Sequence, residues 1–203
     1  VAHGNIIAYF GRHGSTSAND AGLFRGATDY PLDAHGVEDA ISMRNFFTGT
    51  ELGQAWTSGM KRTDQTAEIV LAGRGIEPYR EVGLKPIDVG DLAGEKKSDY
   101  REEVNWLQGH PNIKFPGGES INQFSKRVQP HIKRVIMAGI HSPHPTIGLV
   151  HASTIHEIGN MIHQNHNAVL VKPGGVVAVH FDGQKFHAEP VFRGKKESTG
   201  YAS

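Results

Sequence analysis

The 203-residue chain carries 21 Lys+Arg against 21 Asp+Glu, 37% hydrophobic residues, 13 histidines and no cysteine. This balance excludes disulfides, thiolate nucleophiles and cysteine-based zinc sites. It argues against nucleic acid as the main partner and suits one soluble domain, residues 1–203, with a substantial core.

No apolar run approaches the ~20 residues of a membrane span, so no membrane partner is expected. The opening "VAHGNIIAYF" has neither the basic start nor the long apolar stretch of a signal peptide, which points to the cytoplasm. The first element is Ile6–Phe10, a continuous apolar run ended by Gly11, the pattern of a strand buried on both faces. The turn-rich "ATDYPLDAHG" leads into a helix over Val37–Phe47, with Val37, Ala40, Ile41 and Phe47 at helical spacing. Gln54–Ser58 is a second short strand, followed by a helix through "KRTDQTAEIVLAG" that Gly73 closes. Residues 83–118 are rich in glycine, proline and charge, with a helical patch near Asp99–Leu107, and are expected to pass over the strand ends as a roof. "PGGES" opens a helix from Glu119 to Met137 whose apolar face is Phe124, Val128, Ile132, Val135 and Ile136, kinked at Pro130.

Thr146–Val150 is a third buried strand, and "HASTIHEIGNMIH" follows as a helix. Val169–Val171 and Val176–Phe181 read as a closing hairpin around "KPGG", and the polar tail "GKKESTGYAS" as loose. Strands alternating with helices predict a three-layer α/β/α sandwich with a mostly parallel central sheet.

In open sheets of this class ligands bind at the carboxyl ends of the strands. Arg12 and His13 follow the first strand, Lys61 and Arg62 the second, and His151 the third. If these strands are neighbours, two arginines and two histidines converge. Such a set suits phosphoryl transfer: guanidinium forks match phosphate oxygens, and a neutral imidazole can attack phosphorus. Gly14 lets the backbone approach closely, and the hydroxyls of Ser15 and Thr16 either donate to a phosphate or cap the next helix. No metal or other cofactor enters this scheme. "HEIGN" lacks the second histidine of a zinc-protease helix, and His156, His163 and His166 read as helix and loop residues. Ser153 lacks the glycine-flanked elbow of a hydrolase nucleophile.

Five segments together resemble the histidine phosphatase superfamily, the phosphoglycerate-mutase-like group without the acid-phosphatase pattern. They are "RHGSTSAN" (12–19), "FRGATDYPLDAHGVEDA" (24–40), "TSGMKRTDQTAEIV" (57–70), "FPGGES" (115–120) and "GLVHAS" (148–153). The resemblance implies that His13 becomes phosphohistidine, that Arg12, Arg62 and His151 complete the phosphate pocket, and that Asn19 holds the phosphate or His13. Two departures stand out. "LKPIDVGDLAG" (84–94) has Pro86 where the family has the glutamate that protonates the leaving oxygen. Asp88, on the same side of an extended backbone, is either the replacement acid or a turn-stabilising residue. Ala152 and Ser153 replace the usual glycines after His151. The short chain, without the insertion and closing tail of the mutases, favours a metal-independent phosphomonoesterase acting on a small phosphorylated substrate. The alternatives are a mutase-type phosphoryl transferase and a phosphate-binding domain with little turnover. Arg25, Lys97, Arg101 and "GHPNIKF" are placed to recognise the rest of the substrate, and the sequence does not address oligomeric state.

Overall fold

The computed structural model describes residues 4–194. Six strands form one sheet in the order β3-β2-β4-β1-β5-β6: β1 Asn5–Arg12, β2 Ala55–Thr57, β3 Tyr79–Arg80, β4 Thr146–Val150, β5 Val176–Phe181 and β6 Phe186–Phe192. The pairs β1–β4, β4–β2 and β2–β3 are parallel, while β5 runs antiparallel to both β1 and β6. Six α-helices accompany them among the described residues: α1 Ser17–Asp20, α2 Ala34–Phe46, α3 Lys61–Leu71, α4 Arg101–Gly109, α5 Ile121–Ile140 and α6 Ala152–His163.

Alternation along the central strands sorts the two faces. Ala8, Phe10, Val150, Val177 and Val179 pack with Phe124, Val128, Ile132, Val135 and Ile136 of α5 and with Ile155 and Ile158 of α6. Tyr9, Ile147, Leu149, Val176 and Ala178 face the other way, onto Met43 of α2, the adjoining Phe47, and Ala67, Val70 and Leu71 of α3. Both faces of the sheet are therefore covered, which is why these strands read as continuous apolar runs. A third small cluster joins Val89, Leu92, Leu107 and Phe115 with Phe24 and Tyr100, over the carboxyl ends of the strands. No helix among the described residues is long and apolar enough to cross a membrane.

The expected α/β sandwich is present, with three local differences. The helix α2 turns Gly36, Ala40 and Met43 inward, with Phe47 just beyond its end, and leaves Val37 and Ile41 exposed. Its rotation is set by Gly36, whose missing Cβ leaves room for the Ser15 carbonyl; a Cβ there would lie 2.0 Å from Ser15 O. The partner of β5 is β6, not Val169–Val171. Pro190 obscured that strand, because proline is confined to edges and bulges. It sits on the edge strand opposite Val177, beside a register shift. The helix α5 continues through Pro130, which lies on its exposed side, and begins at a capping box formed by Ser120 and Gln123. Residues 195–203, nearly all of the tail expected to be loose, lie outside the described residues.

The contact at Gly36 is backbone against backbone and cannot be relieved by a rotamer change. Gly36→Ala should lower the stability to urea by about 1–3 kcal/mol, whereas Ile41→Ala on the exposed side of the same helix should change it by less than about 0.5 kcal/mol.

Candidate active site

The register of the central strands builds the site. Arg12 of β1 pairs with Val150 of β4, and Thr57 of β2 pairs with Leu149. The next residues, His13, His151 and Ser58, therefore leave the sheet side by side. His13 N donates to Val150 O at 3.0 Å, and the rings of His13 and His151 lie 5.3 Å apart, edge to face. Arg62, in the first turn of α3, is 1% exposed, and His13 and His151 are 1% and 2% exposed. The helix α6 starts directly after His151, its N-cap residue, so its first amides and positive dipole end open on the same spot.

Hydrogen bonds assign the tautomers. His13 Nδ1 lies 2.7 Å from Gly14 O. A carbonyl only accepts, so Nδ1 carries the proton and Nε2 the lone pair. Arg62 Nε donates to His151 Nδ1 at 3.3 Å. His151 therefore carries its proton on Nε2 and donates it to Ser58 Oγ at 2.8 Å. The Ser58 hydroxyl continues to Thr63 Oγ1 at 3.0 Å, whose own proton goes to Met60 O at 2.8 Å. Each donor in this chain has one acceptor, and the imidazole is locked in place.

Burial, the Arg25 charge and the neighbouring His151, Arg62 and Arg12 hold His13 well below the usual 6.5. Burial and the charges of Arg62, Arg25, Arg12 and Arg127 do the same to His151. Both rings are neutral at physiological pH. Burial and Arg25, opposed by Asp29, lower Arg62 to about 10, which leaves it charged.

These side chains line a cavity of about 140 Å³ formed by His13, Arg62, His151, Arg25 and Lys97, with Phe24, Gly26, Pro86, Ile87, Val89, Ala152 and Ser153. Arg62 Nη1 and Nη2 donate to the carbonyls of Thr28 and Gly26, tying its guanidinium to the loop that carries Arg25. That loop is fixed in turn by the Leu23–Lys96 bridge and by Phe24 N donating to Glu95 O. Of the expected roof, Pro86, Ile87, Val89 and Lys97 reach the cavity; Arg101 and "GHPNIKF" do not line it.

Other expected site residues lie one layer out. Arg12 donates through Nη1 to Val171 O, and its charge reaches both histidines. Asn19 Oδ1 accepts from Thr16 N, Thr16 Oγ1 and Arg25 Nη1, so Asn19 orients Arg25 instead of lining the cavity. Thr16 takes the capping alternative, at the N-cap of α1. The Ser15 amide donates to Asp39 Oδ2, and its hydroxyl is buried away from the cavity. Asp88 is not brought to the site. Its carboxylate accepts from Gly90 N, and it lines a separate groove with Lys85, Lys114 and Arg127. Pro86 and Asp88 do line that groove together, but it is not the cavity that holds His13. The turn-stabilising alternative is the observed one.

Sequence reasoning did not single out Ser58, Thr63 or Thr66. Thr66 Oγ1 accepts from Gly14 N and donates to Arg62 O, joining the loop after His13 to the helix of Arg62. The only sequence signal was a cluster of hydroxyl residues around Arg62. No group of three metal-ligating side chains occurs among the described residues.

Residues 8–190 match the histidine phosphatase superfamily (branch 1). The chain is 29% identical over 154 residues to the 2,3-bisphosphoglycerate-dependent phosphoglycerate mutase of Methylorubrum extorquens (strain PA1), covering 71% of this chain and 73% of the relative. It superposes on phosphoglycerate mutase from Thermus thermophilus with a TM-score of 0.69 and 26% identity, over 94% of this chain and 99% of that one. A putative alpha-ribazole-5'-P phosphatase from Escherichia coli shares the fold, with a TM-score of 0.77 and 22% identity over 91% of this chain and 95% of that one.

Neutral buried imidazoles tie stability to pH. Below 6.5 the unfolded chain takes up protons that the folded rings of His13 and His151 refuse, so stability falls as pH drops through that range and is level above it. Burial and Arg12 lower His156 to about 4, which adds a contribution of the same sign. Urea denaturation of wild type at pH 7 and pH 5 should show the loss, and His156→Gln should remove on the order of 1–2 kcal/mol of it.

Proposed function

The chain belongs to the histidine phosphatase superfamily, and on that footing we propose that it is a metal-independent phosphomonoesterase working through a phosphohistidine on His13. The observation that carries this is the meeting of His13, His151 and Arg62 in one cation-lined cavity.

In the first step His13 Nε2 gives its lone pair to phosphorus while the bond to the leaving oxygen breaks. The positive charge that develops on the ring is met by the Nδ1–H bond to Gly14 O. The three equatorial oxygens gather negative charge against Arg62, Arg25 and the first amides of α6, donors already in position. His151, neutral and locked through Ser58, offers no competing charge and shapes the floor. Water then attacks phosphorus, the N–P bond breaks with its electrons returning to Nε2, and both protons of the water leave on inorganic phosphate.

A phosphoglycerate-mutase activity is the second reading, supported by the name of the Methylorubrum relative. It differs only in the acceptor, a second hydroxyl in place of water. Acetyl phosphate as donor with 3-phosphoglycerate as acceptor separates them: release of inorganic phosphate alone supports the phosphatase, and formation of 2-phosphoglycerate or 2,3-bisphosphoglycerate overturns it.

His13→Ala should abolish turnover of p-nitrophenyl phosphate and the acid-labile phosphoenzyme trapped by acid-sensitive labelling; turnover that persists removes His13 from the nucleophile's role. Arg62→Ala should lower kcat by about 10²–10³-fold, the effect of deleting one preorganised donor, with a smaller change in KM.

A further inference from the structure

Departure of an alkoxide requires a proton as the bond to phosphorus breaks, and general acids are ordinarily found within hydrogen-bond reach of the leaving oxygen. Among the described residues, no aspartate or glutamate lines the cavity that holds His13. Two acidic side chains beside the roof are committed elsewhere. Asp88 holds Gly90 N, and Glu119 receives Asp88 N and Arg127. The imidazole of His151 is no substitute, because its one N–H goes to Ser58 Oγ and its other nitrogen accepts from Arg62. The hydroxyl oxygen of Ser153 accepts from Ile87 N and belongs to a group far too weakly acidic for the task. Lys97 and Arg25 complete the polar lining, and ammonium and guanidinium groups hold their protons through neutral pH.

The backbone of the wall at Pro86 is held in place from behind. Arg127 of α5 donates to the carbonyls of Gly83, Lys85 and Pro86 and pairs with Glu119, which clamps the segment 83–86. The cavity thus offers charge to a departing anion and no proton to a departing alcohol.

We infer that the site is specialised for phosphoryl donors whose leaving group is already a stable oxyanion, namely acyl phosphates, phosphoric anhydrides and aryl phosphates. This rests on the phosphohistidine reading and narrows its substrate class. The balance is complete without a protein acid: Nε2 bonds to phosphorus, the P–O pair stays on the leaving oxygen, and the carboxylate, phosphate or phenolate departs unprotonated beside Lys97 and Arg25.

The test is a leaving-group series at pH 7: acetyl phosphate, phenyl phosphates graded by the acidity of the phenol, and an alkyl phosphate. A positioned acid contributes about 10²–10⁴-fold, so kcat/KM for the alkyl ester should lie at least about 10²-fold below that for acetyl phosphate, and should fall steeply with phenol basicity. Pro86→Glu places a carboxyl group at a cavity-lining position; it should raise alkyl turnover about tenfold or more and flatten the series, while Pro86→Gln should not. Comparable rates on alkyl and acyl donors in the wild type overturn the inference, and they do so whether or not the Pro86 variants fold. Labelled acetyl phosphate separates the two levels: an absence of acid-labile phosphoenzyme from every donor defeats the phosphohistidine reading itself. Phosphoenzyme formed at equal rates from all donors defeats only the substrate class.

Discussion

The parallel register of β1 on β4 is the constraint on which the rest depends. Pairing Arg12 with Val150 commits the two following residues to leave the sheet as neighbours, and those residues are His13 and His151. A slip of one residue would turn one ring to the opposite face of the sheet. The register is held by a core that is buried on both sides: Phe10 and Val150 belong to one apolar layer, Tyr9 and Leu149 to the other. Packing energy far from the chemistry therefore sets a distance within it.

Electrostatics follow from that placement. Arg62, Arg25 and Lys97 face a cavity whose lining includes no carboxylate among the described residues. The cost of gathering such charge is reduced by carbonyl acceptors on Gly26 and Thr28 and by keeping both imidazoles neutral. Burial and the same arginines hold His13 neutral, which leaves its Nε2 lone pair unprotonated. The desolvated cations and the two neutral imidazoles thus share one cavity, and His151 adds no charge to the repulsion there.

Much of this was readable in the amino-acid order, for definite reasons. Strands buried on both faces advertise themselves as apolar runs, so the ends at Phe10, Ser58 and Val150 were close to right, and the chemistry is attached to those ends. Periodicity failed where a local contact outranked it. The close approach of Gly36 to Ser15 rotates α2 so that Val37 and Ile41 face outward. Asp88 shares a groove with Pro86, but that groove lies apart from the cavity, and its carboxylate turns to Gly90 N. Pro190 disguises an edge strand beside an irregularity. The hydroxyl relay from His151 through Ser58 to Thr63 has no spacing signature, because it joins residues 93 positions apart and then five.

The backbone around His13 is also bound to the late part of the chain. Arg12 N donates to Gly175 O, Gly174 N donates to the carbonyls of Arg12 and His13, and the Arg12 guanidinium reaches Val171 O. The strand that leads to His13 pairs on both sides with strands far along the chain from it, β4 and β5. Such non-local closure is slow relative to helix formation. Until those pairings close, the first strand has unpaired edges on both sides, a stage exposed to aggregation. The pocket around His13 therefore closes late in folding, once these distant segments have docked onto the first strand.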